Sequence, residues 1–178
     1  ARHVLQKRLE HFLAPGQTFS VTPRAKTLIV RFESSEDLEA NQLEGLIDLC
    51  TTLGRLEFVD SETALESGER FTGSGEVIFT DQDIRTTSAT TSEFGTAIVQ
   101  LELTSEGSDK LAAYSKNNLG HFLVIVKDGE VLSSPIVQSE ISGGQVWLQN
   151  NFTLEEARRL AAELTGRLPI LLELLRQN

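Results

Sequence analysis

Apolar residues recur at helical spacing from the start of the chain. Val4, Leu5, Leu9, Phe12 and Leu13 share one face of a helix from His3 to Leu13, which Pro15-Gly16 ends. Two short strands follow, Thr18 to Thr22 and Thr27 to Phe32, joined across turn residues near Pro23. Ser35 fits as the cap of a helix from Glu36 to Thr52. Its stripe runs through Leu43, Leu46, Ile47, Cys50 and Leu53 until Gly54 stops it. Leu56 to Val59 reads as the next strand. The pattern then weakens. The region from Asp60 to Gly95 is rich in Ser, Thr, Gly and acids; it holds one strand, Glu76 to Thr80, and its Ser/Thr run at 86–92 reads as loop.

Order returns at Thr96. Ile98, Gln100 and Glu102 alternate with Val99, Leu101 and Leu103 as in a strand, and Thr104 or Ser105 caps a helix through Asn117. Phe122 to Val126 is a buried strand, and Asp128-Gly129 is the strongest hairpin signal in the chain, with Glu130 to Leu132 returning from it. Pro135 keeps the residues after it at an edge or in a loop. Gln145 to Gln149 is a strand. Thr153 to Glu156 fits a capping box for a helix whose stripe is Leu154, Ala157, Leu160, Ala161 and Leu164; Gly166 ends it, and Leu168 to Leu174 is a last apolar strand. A Thr-capped helix, a Gly and an apolar strand thus occur twice, at Thr104 to Val126 and at Thr153 to Leu174. Strands, hairpins and helices in this order predict an α+β fold of ferredoxin-like antiparallel sheets with helices on one face.

Composition narrows the function. The chain has 178 residues with 39% hydrophobic and 24% charged, enough for one domain or two small subdomains. The net charge of -10 leaves the 16 Lys and Arg scattered among 26 acids, which argues against nucleic acid and weakens any case for an anionic lipid surface. Cys50 is the sole cysteine, so no internal disulfide forms, and its place on an apolar stripe reads as a small buried hydrophobe. The sequence contains no Met and no targeting segment ahead of the first helix, so it reads as a piece of something longer, a processed mature protein being the alternative. No run approaches the roughly 20 apolar residues that span a bilayer.

Little in the sequence points to catalytic chemistry. His3 and His11 stand two turns apart on one helix, too far for a shared metal, and His121 reads as a turn histidine. Asp81, Asp83 and Glu93 match no calcium-loop pattern and read as solvated charge. Gly73-Ser74-Gly75 lacks the Lys and the strand-to-helix context of a phosphate loop, and no Gly-x-Ser-x-Gly elbow occurs. The expectation is a non-enzymatic chain with no catalytic, cofactor or metal site. Phe71, Phe79 and Phe94 fall in the weakly patterned stretch where no core face claims them. They are the candidates for contact with an extended or unfolded polypeptide, set against the plainer reading that they cap a satellite core.

The motifs GHFLVIVKDGEVLSSP (residues 120–135), ISGG (141–144) and NFTLEEARRLAAELTGRLP (151–169) occur in one order and spacing. In that ordered set the chain resembles the SecD family. The strand at Leu56 to Phe58 and the approach from Phe94 to Ser105 are similar as well. The resemblance implies the first large extracytoplasmic (periplasmic) domain of an integral membrane subunit that works with SecF beside SecYEG. The proton gradient drives that subunit to help exported polypeptide across, and no cofactor is implied. It also implies a ferredoxin-like base at 1–60 plus 143–178 and an inserted head at 61–142 that holds and releases the emerging, unfolded chain. Two departures stand out: Arg167 occupies a position where the family usually has Ala, and the head is short. The competing readings are a porter-type periplasmic domain of a resistance–nodulation–division transporter, and a periplasmic hydrolase for which no paired nucleophile and base is present.

Overall fold

The computed structural model describes residues 1–13, 17–24, 27–33, 40–92, 95–166 and 168. The elements are α1 (Arg2–Phe12), β1 (Thr18–Arg24), β2 (Thr27–Glu33), α2 (Ala40–Thr51), β3 (Leu56–Ser61), β4 (Val77–Thr80), β5 (Ile84–Thr91) and β6 (Ala97–Leu103). After these come α3 (Ser105–Asn117), β7 (Phe122–Lys127), β8 (Glu130–Ser133), β9 (Gln145–Leu148) and α4 (Leu154–Leu164). The described strands form a β1-β2 hairpin, a four-stranded sheet in the order β4-β3-β7-β8 and a three-stranded sheet in the order β5-β6-β9. Every pairing is antiparallel. The expected antiparallel sheets with packed helices are therefore present. Ser35, the helix start at 36–39 and the last strand beyond Leu168 lie outside the described residues.

The local signals act as their chemistry dictates. The hydroxyl oxygen of Thr104 accepts from the Gly107 N–H at 3.1 Å and caps α3. Thr153 accepts from the Glu156 N–H at 3.2 Å while the Glu156 carboxylate accepts from the Thr153 N–H at 2.7 Å, closing the capping box of α4. Asp128 and Gly129 both adopt positive φ, 51° and 89°, as a two-residue hairpin between β7 and β8 requires.

One expectation is corrected. The Ser/Thr run at 86–92 is not a loop, because residues 86–91 belong to β5, paired with β6 from Ile84 to Thr91. A strand at the margin of a sheet needs no full apolar face, and Thr itself suits extended backbone. The Thr87 hydroxyl is buried and donates to the Ala161 carbonyl at 2.7 Å, fastening β5 to α4 through a polar contact that hydrophobic patterning does not register. The expected base-and-head boundary at residue 60 falls inside β3, which pairs with β4 and β7 on the far side of it. β9 joins β6, and α4 packs on β5 and β6 on one side and on α1 and α2 on the other.

The main core lies between the two larger sheets. It gathers Leu56 and Phe58 of β3, Val99 and Leu101 of β6, Leu123 and Ile125 of β7, Leu111 of α3, and Ala157, Leu160, Ala161 and Leu164 of α4. Burying each larger side chain contributes about 1.5 to 3 kcal/mol. A second cluster, Leu9, Val21, Leu46, Leu49 and Ala162, joins α1, α2 and the hairpin to the other side of α4.

Arg8 stands between the clusters with none of its surface exposed. Its guanidinium donates to the carbonyls of Leu49, Thr52 and Leu53 at 3.0, 2.8 and 2.8 Å and to that of Gly166 at 2.9 Å. The C-terminal carbonyls of α2 and the end of α4, both negative ends of helix dipoles, thus converge on one cation. Burial pulls the Arg8 pKa down, and the negative charge of Glu163 and Asp128 opposes that pull. Gly54 makes the approach possible: it has φ +71°, and a Cβ there would lie 2.4 Å from Arg8 Nη2 and 2.5 Å from the Glu163 carbonyl oxygen. Close by, Lys127 Nζ sits 2.8 Å from the buried Glu163 carboxylate, and Asp128 accepts from the N–H groups of Gly54 and Arg55 at 3.1 and 2.8 Å. A continuous polar junction therefore links α1, α2, β7 and α4.

Candidate polypeptide-contact site

The four-stranded sheet has a second face, built by the buried side chains of Val59, Val124, Val126 and Val131. Residues 62–76 cross that face from one margin of the sheet to the other. Along β8, the Gly68 N–H donates to the Val131 carbonyl at 2.9 Å, the Val131 N–H to the Glu69 carbonyl at 2.8 Å, and the Phe71 N–H to the Gly129 carbonyl at 2.8 Å. The segment then reaches β3, where the Asp60 N–H donates to the Glu76 carbonyl at 2.9 Å. Asn150 pins it from outside by donating to Ser67 Oγ at 2.9 Å and to the Leu132 carbonyl at 2.9 Å. Leu65 and Phe71 are its apolar pins, both partly buried on the valine cluster.

The glycines of the segment serve packing, not phosphate binding. A Cβ at Gly73 would come within 2.9 Å of the Phe71 ring, and one at Gly75 within 2.2 Å of the Asp60 carbonyl oxygen. Beneath and beside the crossing lies an open cavity of about 430 Å³, lined by Asp60, Glu62, Leu65, Glu69, Phe71 and Val131 among others. Most of its lining is polar; Leu65, Phe71 and Val131 are its larger apolar side chains, and Glu62, Glu69 and Arg70 beside them are exposed. Such a pocket admits an apolar side chain of an extended peptide, and its acids favour a neighbouring cation.

The three candidate phenylalanines part company. Phe71 lines the cavity. Phe79 is 2% exposed and faces Phe58 across the β3–β4 ladder, the rings 3.9 Å apart and inclined by 15°. It belongs to the main core, which corrects its place in an exposed patch; its register opposite Phe58 continues that of Glu57 and Thr80, and a bulge follows. Phe94 lies outside the described residues.

Sequence reasoning missed one cluster at the cavity wall. Asp60 Oδ1 accepts from the Tyr114 hydroxyl at 2.7 Å and lies 3.0 Å from His121 Nδ1. Burial, reinforced by the Asp60 charge, pushes the Tyr114 phenol well above its ordinary value, so it stays protonated and donates. The group fastens β3 to α3 and to the start of β7. Only the position of His121 just before an apolar strand hinted at it.

The loop acids have structural tasks. Asp83 accepts from the Thr80 N–H at 3.0 Å and pairs with Lys110 Nζ at 2.8 Å, and Asp81 accepts from the Leu56 N–H at 3.3 Å. Glu93 lies outside the described residues. Among the described residues no group of three His, Cys, Asp or Glu is placed to hold a metal ion, and no helix is long and apolar enough to cross a membrane.

The class these features define is a mixed α/β domain of antiparallel sheets with four α-helices among the described residues, and solved SecDF structures share it. One, of SecDF as a membrane component that enhances protein export, superposes with a TM-score of 0.73 at 24% identity, covering 99% of this chain and 91% of that one. Another, of SecDF in a super-membrane-facing form, gives a TM-score of 0.75 at 24% identity over 96% of this chain and 26% of that one. Residues 57–170 match the family model described as SecDF, P1 head subdomain, and the chain belongs to that family. A protein translocase subunit SecD from Sebaldella termitidis is 29% identical over 175 residues, 98% of this chain and 40% of the relative. The subunit of the same name from Aquifex aeolicus is 38% identical over 103 residues, 57% of this chain and 20% of the relative. The chain thus spans 40% or less of the length of these relatives.

Proposed function

We propose that this chain is the periplasmic domain of a SecD-type accessory subunit and that it contacts exported polypeptide through the cavity beneath residues 62–76. The observation that carries the reading is the pairing of the SecDF P1 head match over 57–170 with an open cavity inside that span, where Leu65, Phe71 and Val131 stand among acids and hydroxyls. The same match speaks against the porter-type alternative. The fitting client is an unfolded chain, because an open, mostly polar cavity with a few apolar side chains selects no particular sequence. The domain works without an enzymatic step of its own. Its partners are SecF and SecYEG, met through the full-length subunit, whose membrane part supplies proton-gradient-driven motion.

Within the domain, α1, α2 and the β1–β2 hairpin form the smaller, base-like lobe, where any ferredoxin-like likeness belongs. The sheets from β3 to β9 form the head. The site is tested in the full-length parent subunit with a photo-cross-linking residue in place of Phe71. The probe is expected to capture an exported precursor arrested in transit and to lose it once transit is complete. Capture that is absent while transport runs normally sinks the reading.

A further inference from the structure

Trp147 is 61% exposed, the most exposed of the large apolar side chains among the described residues, and it sits on β9 at the margin of the three-stranded sheet. The hydrogen-bond phase of that margin follows from a single bond. The Leu103 N–H donates to the Gly144 carbonyl at 2.8 Å, and the register continues as Glu102 opposite Gln145, Leu101 opposite Val146, Gln100 opposite Trp147 and Val99 opposite Leu148. Opposed residues in an antiparallel ladder alternate between pairs that exchange backbone bonds and pairs that do not. Val146 and Leu148 therefore bond to β6, and Gln145 and Trp147 direct their N–H and C=O groups outward. Among the described residues no other backbone group bonds to these two.

Natural sheet margins are protected by a charge, a proline or a covering segment. Residues 68–71 cover β8, and β1 carries Pro23 and Arg24. Gln145 to Leu148 has no such device among the described residues: the strand is uncharged, contains no proline and carries an exposed indole.

We propose that β9 is a pairing edge on which an extended segment of unfolded polypeptide adds as a further antiparallel strand, with Trp147 packing on its outward side chain. Main-chain pairing reads no sequence, so it suits a client whose sequence is arbitrary. On the inward face, Val146 and Ile141 are partly buried on the core and would meet the client's apolar residues, favouring segments that alternate apolar and polar. A second copy of this chain is the poorer occupant, because each copy carries a net charge of -10. This inference rests on the client-binding reading above but uses a different surface.

The test titrates the chain with a short peptide of alternating Val and Thr. Trp147, the only tryptophan, reports by fluorescence, and amide hydrogen exchange reports residue by residue. The expected result is a blue-shifted emission and slowed exchange at Gln145 and Trp147, with Val146 and Leu148 unchanged. Trp147→Lys should weaken binding about tenfold while leaving the fold intact. A peptide in which Pro replaces each Val should not bind. Peptide binding with protection confined to 62–76 would overturn this inference and leave the cavity reading standing. Absence of any peptide effect overturns it too, with the cross-linking at position 71 still deciding the cavity. Slowing at 145 and 147 that tracks protein concentration without peptide would also overturn it, marking self-association.

Discussion

A fully buried guanidinium is costly unless its donors are used, and Arg8 uses them on four carbonyls at the ends of α2 and α4. The planar fork is what lets one side chain serve acceptors from separate segments; an ammonium has three donors radiating from one point. Because the acceptors are backbone groups, they cannot be replaced along with the cation. Arg8→Met, which keeps much of the volume, is therefore expected to lose about 3 kcal/mol or more of stability. Arg8→Lys should fall between Met and the native residue, and urea midpoints at neutral pH measure both. A Met variant as stable as the native chain would mean that packing alone matters at this position. The residue was nearly legible in the sequence, since Leu5, Arg8, Leu9 and Phe12 share one helical face, but a lone charge on an apolar stripe does not disclose its partners. Phe71 and Phe79 show the same limit: eight residues apart in the same weak pattern, they separate into cavity wall and core because only one of them lands opposite Phe58.

Helices and hairpins were legible where their signal is local. The capping box of α4, the Asp128-Gly129 turn and the Thr104 cap each need only a few neighbouring residues. β5 was not legible, because its hold on the molecule is a ladder with β6 and a Thr87 hydroxyl bond to α4, both remote in sequence. The capping box makes stability depend on pH. The N–H of Thr153 and then its hydroxyl hold the Glu156 carboxyl below its ordinary value of 4.5. A carboxyl depressed on folding stabilises the fold above its unfolded pKa, and that contribution fades as pH falls through the folded value. The box should therefore be intact at neutral pH and weaken only below the ordinary glutamate range. Glu156→Gln, whose amide oxygen can still accept from the Thr153 N–H, should flatten that part of the pH profile. Thr153→Ala should cost about 1 kcal/mol at neutral pH. Thermal midpoints of the three proteins between acid and neutral pH provide the check; a Gln variant that keeps the native acid profile would place the dependence elsewhere.

At the scale of the molecule, the decisive question is whether the base-like lobe and the head are separate units. The family resemblance implies a base at 1–60 plus 143–178 and a head at 61–142. The contacts run the other way: α4 presents Ala157, Leu160, Ala161 and Leu164 to the main core and Ala162 to the N-terminal cluster, and Arg8 ties α1 to the ends of α2 and α4. Removing either lobe would bare the opposite face of α4, so both should unfold together. Two probes lie on opposite sides of that helix. Trp147 reports on the three-stranded sheet by fluorescence, and Cys50 reports on α2 by alkylation. Burial raises the Cys50 thiol to about 11, against the opposing pull of Arg8, so it reacts slowly at neutral pH until α2 opens. The expected outcome is one denaturant midpoint for both probes in the native chain. Arg8→Met should lower that midpoint and separate the two, with Cys50 exposed first. Coincident transitions in the native chain would mean that the two lobes form one cooperative unit. Separate midpoints in the native chain would instead put a hinge inside it, at the seam that Arg8 and Gly54 close.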